Sequence, residues 1–347
     1  MIKYIPAAAS LLLLLAGCGR TPLREYHPAA LPPHPAENTV TLNRSKQISA
    51  VLAPLRIRGV ALFPAAIDER FSPQNVCTEL KKCGFNRVYL HITSEQELNE
   101  KLIVLITEIV NSGMQAEIVI SQQDFFRRYQ VNRLLRLVVC QYPSLYDVAE
   151  QIAEFNAELP ENVKLTGITV HLTPHLFNSK NSHRVYRCIY NWSDRSYGKG
   201  GDNDMLLQSA IAELARIKTI RNLPPVTVAI PDFIHDRASE GELSTGTIAD
   251  FCKITPDVAV INSANLPSQL PEKISSELKN APKGSRILII LPLATHTSMD
   301  ADRLRRRNWN DFIRALSACI EKVREYPEFN GVVVSPFSVI EYMRLEK

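Results

Sequence analysis

A single (β/α)8 barrel is the fold the sequence predicts, and two patterns predict it. Eight short runs rich in Val, Ile, Leu and aromatic residues recur along the chain, and segments with helical periodicity separate them. Strands that alternate with helices pair in parallel through right-handed crossovers. Eight such units between residues 56 and 347 match the size and count of that barrel. Several runs are apolar throughout, as in Ile287-Leu288-Ile289-Ile290-Leu291, which suits a sheet covered on both faces. An open doubly wound sheet is the alternative architecture. No Gly-rich G-x-G-x-x-G turn follows the first run, which speaks against its nucleotide-binding version.

In chain order the predicted strands are 58–63, 86–92, 115–121, 165–172, 226–233, 257–262, 286–291 and 330–335. The predicted helices are 73–83, 94–112, 144–158, 205–221, 246–252, 267–280, 308–326 and 337–345. Composition agrees with one folded body: 347 residues, 45% hydrophobic and 22% charged, exclude disorder and a multi-span membrane protein. The 40 Lys and Arg against 36 Asp and Glu leave a formal charge of +4, too even for a nucleic-acid binder.

Ahead of the barrel, Lys3 and a short apolar stretch from Ile5 end in Leu15-Ala16-Gly17-Cys18. The stretch is too short to span a bilayer and has the form of a secretory signal. The four residues resemble the lipobox of bacterial lipoproteins. That resemblance implies removal of residues 1–17, acylation of Cys18 and anchoring in the cell envelope, with no Asp after the Cys to oppose sorting to the outer membrane. The Pro-rich, polar stretch that follows is expected to continue residues 18–55 as a disordered linker holding the barrel off the membrane. Six cysteines remain beyond Cys18, none in C-x-x-C spacing, and the length of the chain makes disulfides possible but unnecessary.

In such a barrel, chemistry belongs at the C-terminal ends of the strands and in the loops after them. His91, His171, His175, His235 and His296 fall at or just beyond such ends, with Thr173 and Asp232 among them. The long loop from 174 to 204 carries Tyr186, Tyr190 and Trp192, candidate flat faces for stacking sugar rings. The run Thr166-Gly167-Ile168-Thr169-Val170-His171-Leu172-Thr173 resembles the D-G-x-D-x-D-x-E signature of chitinase-type glycoside hydrolases in its glycine, its apolar spacers and its place on strand four. Every acidic position differs. The resemblance puts Thr173 where the proton-donating glutamate stands, and a threonine hydroxyl is far too weak an acid for that work.

Three readings follow. The first is a lipid-anchored, glycosidase-like barrel that binds polysaccharide without cutting it. The second is an active hydrolase with relocated carboxylates, Asp232 paired with Asp68, Glu69, Asp124 or Glu341, or with a metal held by His171 and His175 together with His235, His296 or Asp232. The third is an assembly lipoprotein that presents a surface, such as the run Arg303, Arg305, Arg306 and Arg307, to an envelope protein partner. The expected candidate site is His171, Thr173, His175, Asp232 and His296, with no resident metal or cofactor.

Overall fold

A computed structural model describes residues 39–64, 67, 72–122, 130–132, 137–140, 144–176, 192–262, 270–292 and 309–335. The chain folds as a single (β/α)8 TIM barrel. Its strands are β1 (Ile57–Leu62), β2 (Arg87–Ile92), β3 (Gln115–Ser121), β6 (Gly167–His171), β7 (Val226–Pro231), β8 (Asp257–Ile261), β9 (Arg286–Pro292) and β10 (Phe329–Ser335). They pair in that order, every neighbour parallel, and β10 closes on β1. All eight predicted strands are present within a few residues of their expected ends. A short antiparallel pair that the periodicity did not predict, β4 (Gln130–Asn132) with β5 (Leu137–Cys140), stands in the loop after β3.

The outer helices are α2 (Pro73–Lys82), α3 (Glu100–Asn111), α4 (Leu145–Glu158), α5 (Asp202–Ile217), α6 (Asp232–Ser239), α7 (Ile248–Cys252), α8 (Leu270–Lys279) and α9 (Trp309–Val323). Local chemistry sets several of their starts. Pro73 opens α2, where a missing N–H is harmless, and Ser72 accepts from Asn75 N. Ser144 and Asp147 close a capping box on α4, and Thr247 and Asp250 do the same on α7. The predicted helix at 337–345 lies outside the described residues.

Two cores result. The larger lies between strands and helices and includes Ile118, Val170, Val228, Phe251 and Leu316, all fully buried. The second fills the barrel itself with Ile57, Tyr89, Val119, Ala229, Ala259, Leu288, Ile290 and Val333. Two glycines make room inside. A Cβ on Gly59 would stand 2.6 Å from the Tyr89 ring, and one on Gly167 would stand 2.9 Å from Glu117 Cδ. Gly167, the residue that carries the signature-like frame of strand four, is therefore required by packing against Glu117. Cys77, Cys252 and Cys319 are free thiols, and burial raises the Cys77 thiol to about 11.

One expectation is overturned. The linker assigned to residues 18–55 does not reach that far, because α1 (Thr39–Leu52) is a helix of the barrel. It buries Ser45, Ile48 and Leu52 and packs between α9 and α2, the ring position that follows the last strand. Its apolar face is too thin to register as a period, and the slot between the two neighbouring helices supplies the burial that stabilises it. A chain beginning at residue 56 should lose this covering and melt well below one beginning at Glu37, or fail to fold. Thermal unfolding of the two truncations, followed by circular dichroism, checks this.

Candidate functional site

A cleft opens at the C-terminal ends of the strands. Its lining includes Ala61 of β1, Tyr89 and His91 of β2, Val119 of β3, Thr169 and His171 of β6, Ile290 of β9 and Ser335 of β10. The cavity at its floor has a volume of about 20 Å³, room for about one water molecule. These residues follow the period of two along their strands. Arg87, Tyr89 and His91 face inward on β2, as do Gly167, Thr169 and His171 on β6, and register places each level beside its neighbour.

At the mouth, the His91 and His171 rings meet edge to face with centroids 5.7 Å apart, and Phe63 stacks on His91 at 4.8 Å. Burial, reinforced by the nearby His91, lowers the His171 pKa to about 3. His171 is therefore a neutral imidazole at pH 7, one nitrogen donating and the other accepting. Below it, Thr169 donates its hydroxyl hydrogen to Glu117 Oε2 at 3.1 Å, leaving the oxygen's lone pairs as acceptors in the cleft floor. Glu117 is 2% exposed and is held by Arg87 Nη1 at 2.6 Å. Burial raises the Glu117 pKa, and Arg87 and Thr169 oppose that rise.

The loop after β6 carries the next two candidates. Thr173 is buried; its N–H donates to Gln122 Oε1 at 3.2 Å, while its hydroxyl has no hydrogen-bond partner among the described residues. His175 lies in a 3₁₀ turn (Pro174–Leu176), edge to face with Phe233 at 5.1 Å. Its Nδ1 is buried without a partner among the described residues, and burial lowers its pKa to about 4.

Several expectations change here. Trp192 is not an exposed stacking platform: it is 6% exposed and belongs to the main core, touching Tyr197 and Phe233 edge to face at 5.9 and 6.3 Å. Its large ring anchors the loop to the barrel instead. Asp232, the expected relocated acid, is 1% exposed, and its Oδ1 accepts from Phe233 N at 2.7 Å in the first turn of α6. His235 sits within α6 rather than in a loop, with Nδ1 accepting from Ile248 N at 3.1 Å and Nε2 facing the Asn280 amide at 3.3 Å. Both of its ring nitrogens are thereby committed to joining helices, and it is no partner for a metal with His171 and His175. Among the described residues no group of three or more His, Cys, Asp or Glu side chains is placed to hold a metal ion. Cys18, Asp68, Glu69, Asp124, Tyr186, Tyr190, His296, the arginine run at 303–307 and Glu341 lie outside the described residues.

Sequence reading by strand ends did not single out Tyr89, Thr169 and Glu117. Their signal was a polar or aromatic residue at every second position of otherwise apolar strands, which in a barrel marks the inward row.

No known family's sequence profile matches the chain, and no curated protein is similar to it in sequence. Similar solved structures include an intracellular xylanase of Thermoanaerobacterium saccharolyticum, 9% identical, covering 83% of this chain and 88% of that one with a TM-score of 0.45. A GH18 chitinase of Pseudoalteromonas aurantia is 12% identical, covering 83% and 97% with a TM-score of 0.45. An HpcH/HpaI aldolase of Desulfitobacterium hafniense is 10% identical, covering 85% and 91% with a TM-score of 0.34. At such identities and scores no activity carries over, and neighbours as unlike as a xylanase and an aldolase accord with that.

The buried histidines make stability acid-sensitive. His171, His175 and His235 all have pKa values lowered in the fold, so below the ordinary value of about 6.5 the unfolded chain binds more protons than the folded one. Their contribution is complete above that pH and falls as pH drops toward the folded values, by up to about 1.4 kcal/mol per pH unit each for His171 and His175. Urea unfolding between pH 7 and pH 4.5 should show this decline, and a His171→Gln/His175→Gln variant should show a shallower one.

Proposed function

We propose that this protein is a lipid-anchored barrel of the bacterial cell envelope that binds polysaccharide in the cleft at its strand ends and does not cleave it through strand four. The observation that carries the reading is the chemistry of the described cleft lining. His91, His171, Thr169 and Ser335 offer hydrogen-bond donors and acceptors over apolar walls, and no carboxylate is among them. Uncharged, hydroxyl-rich ligands match groups of this kind. Glycosidic cleavage needs a carboxylic acid beside the scissile oxygen. Thr173 at the strand-four position and a buried, hydrogen-bonded Asp232 both favour binding over cutting. Acylation of Cys18 would provide the anchor, and its acyl chains suffice for stable attachment.

A glycan array probed with the soluble chain, followed by calorimetry on the best oligosaccharide, tests the reading. Binding is expected, with a loss of about tenfold or more, or roughly 1.4 kcal/mol, in His171→Ala. Incubation with the same oligosaccharide should release no reducing ends. Release that persists in the wild type and disappears in Asp232→Asn would establish the hydrolase instead. Absence of glycan binding would leave the envelope-assembly role.

A further inference from the structure

The path of α1 fixes where the anchored end of the chain meets the barrel. The eight barrel strands are all parallel, so Ile57, Arg87 and Gly167 mark one face of the barrel and the cleft opens at the other. α1 ends at Leu52, and Leu55 N donates to Leu52 O just before β1 begins, so the C-terminal end of α1 lies on the face opposite the cleft. Gly84 agrees: it stands where the chain leaves α2 for β2, and a Cβ there would be 2.6 Å from Ser49 Oγ. From that level, the 14 residues of α1 rise about 20 Å, packed between α9 and α2. A six-residue strand spans about the same length. Thr39 therefore sits on the cleft side of the barrel.

We infer that the cleft faces the membrane to which the chain is tethered, so that the polysaccharide it takes is one lying between the barrel and that membrane. This rests on the lipid-anchor reading above. Residues 19–38 join Cys18 to α1, and twenty residues reach at most about 70 Å when fully extended. To turn the opposite face to the membrane, the chain must first spend part of that reach running down the side of the barrel. Turning the cleft toward the membrane requires none of it. A glycan strand close to the membrane surface then meets the cleft directly, whereas one arriving from the far side meets the ends of the strands that begin at Ile57 and Arg87.

Site-specific fluorescence quenching tests the orientation. An azide-bearing residue is placed at Lys199, in the loop between β6 and α5, or at Lys283, in the turn between α8 and β9; both positions are exposed. Each variant is purified from bacterial membranes with its own N-terminal acyl groups, coupled to a dye, and inserted into phosphatidylethanolamine and phosphatidylglycerol vesicles that carry a nitroxide headgroup quencher. The dye at 199 is expected to lose more fluorescence than the dye at 283. Equal loss, or greater loss at 283, overturns the inference. A second arm holds a chain that begins at Gly19 on nickel-chelating vesicles through an N-terminal histidine tag, and reads orientation without acylation. Mass spectrometry finding no acyl group on Cys18 would remove the anchor reading alone, while the second arm still decides whether this attachment point turns the cleft toward a membrane.

Discussion

The ion pair between Arg87 and Glu117 sits inside the barrel, and the arrangement above it depends on that pair. Enclosing a carboxylate where water is scarce costs several kcal/mol unless its oxygens are satisfied. Here one oxygen takes the guanidinium at 2.6 Å and the other takes the Thr169 hydroxyl at 3.1 Å, so one side chain from β3 fastens β2 and β6 on either side of it. Gly167 leaves the space that Glu117 occupies, and Gly59 leaves the space for the Tyr89 ring. A second pair, Arg286 with Asp257, with bonds of 2.5 Å, joins β9 to β8 near their first residues. Both of these ion pairs lie at the end of the barrel where the strands begin.

The other end has a different character for the same reason. Imidazoles stand there, which can lose their charge without leaving the fold, and burial keeps His171 and His175 neutral. The cleft floor inherits its polarity from below, because Glu117 takes the Thr169 proton and turns that hydroxyl into an acceptor. Small residues at Ala61 and Ala259 keep the mouth open where larger ones would fill it. The outcome is a cleft whose described lining holds hydrogen-bonding groups and no carboxylate, supported by a paired charge beneath.

The loop from Trp192 to α5 is fastened independently of the cleft. Asp204 accepts from Gly200 N at 2.9 Å, from Ser244 N at 2.8 Å and from the Ser244 hydroxyl at 2.7 Å. Burial pushes its pKa up, but these bonds outweigh burial and hold the carboxyl below its usual range. With Trp192 in the core and Arg237 lying over Tyr197 at 4.7 Å, this segment forms one wall beside α6. Aromatic residues that stood out in the sequence as a ligand platform therefore include at least one whose ring serves as an anchor.

The sequence by itself determined the barrel, because strand and helix periods are local properties, and eight apolar runs at regular intervals leave few other ways to bury them. It also determined that the run from 166 to 173 carries no carboxylate, since that is a matter of residue identity. The depth of a side chain was not legible in it. Trp192, Asp232 and His235 stand at positions where loops carry function, yet each is buried and none is part of the cleft lining. Glu117 and Thr169 lie 52 positions apart, and only parallel pairing of β3 with β6 makes them partners. The thin apolar face of α1 is too weak to specify a helix alone, and it became one because closure of the barrel leaves a gap between α9 and α2 that an N-terminal segment can fill. Tertiary structure decided these points because burial and partnership belong to surfaces brought together by folding, and no single stretch of chain contains them.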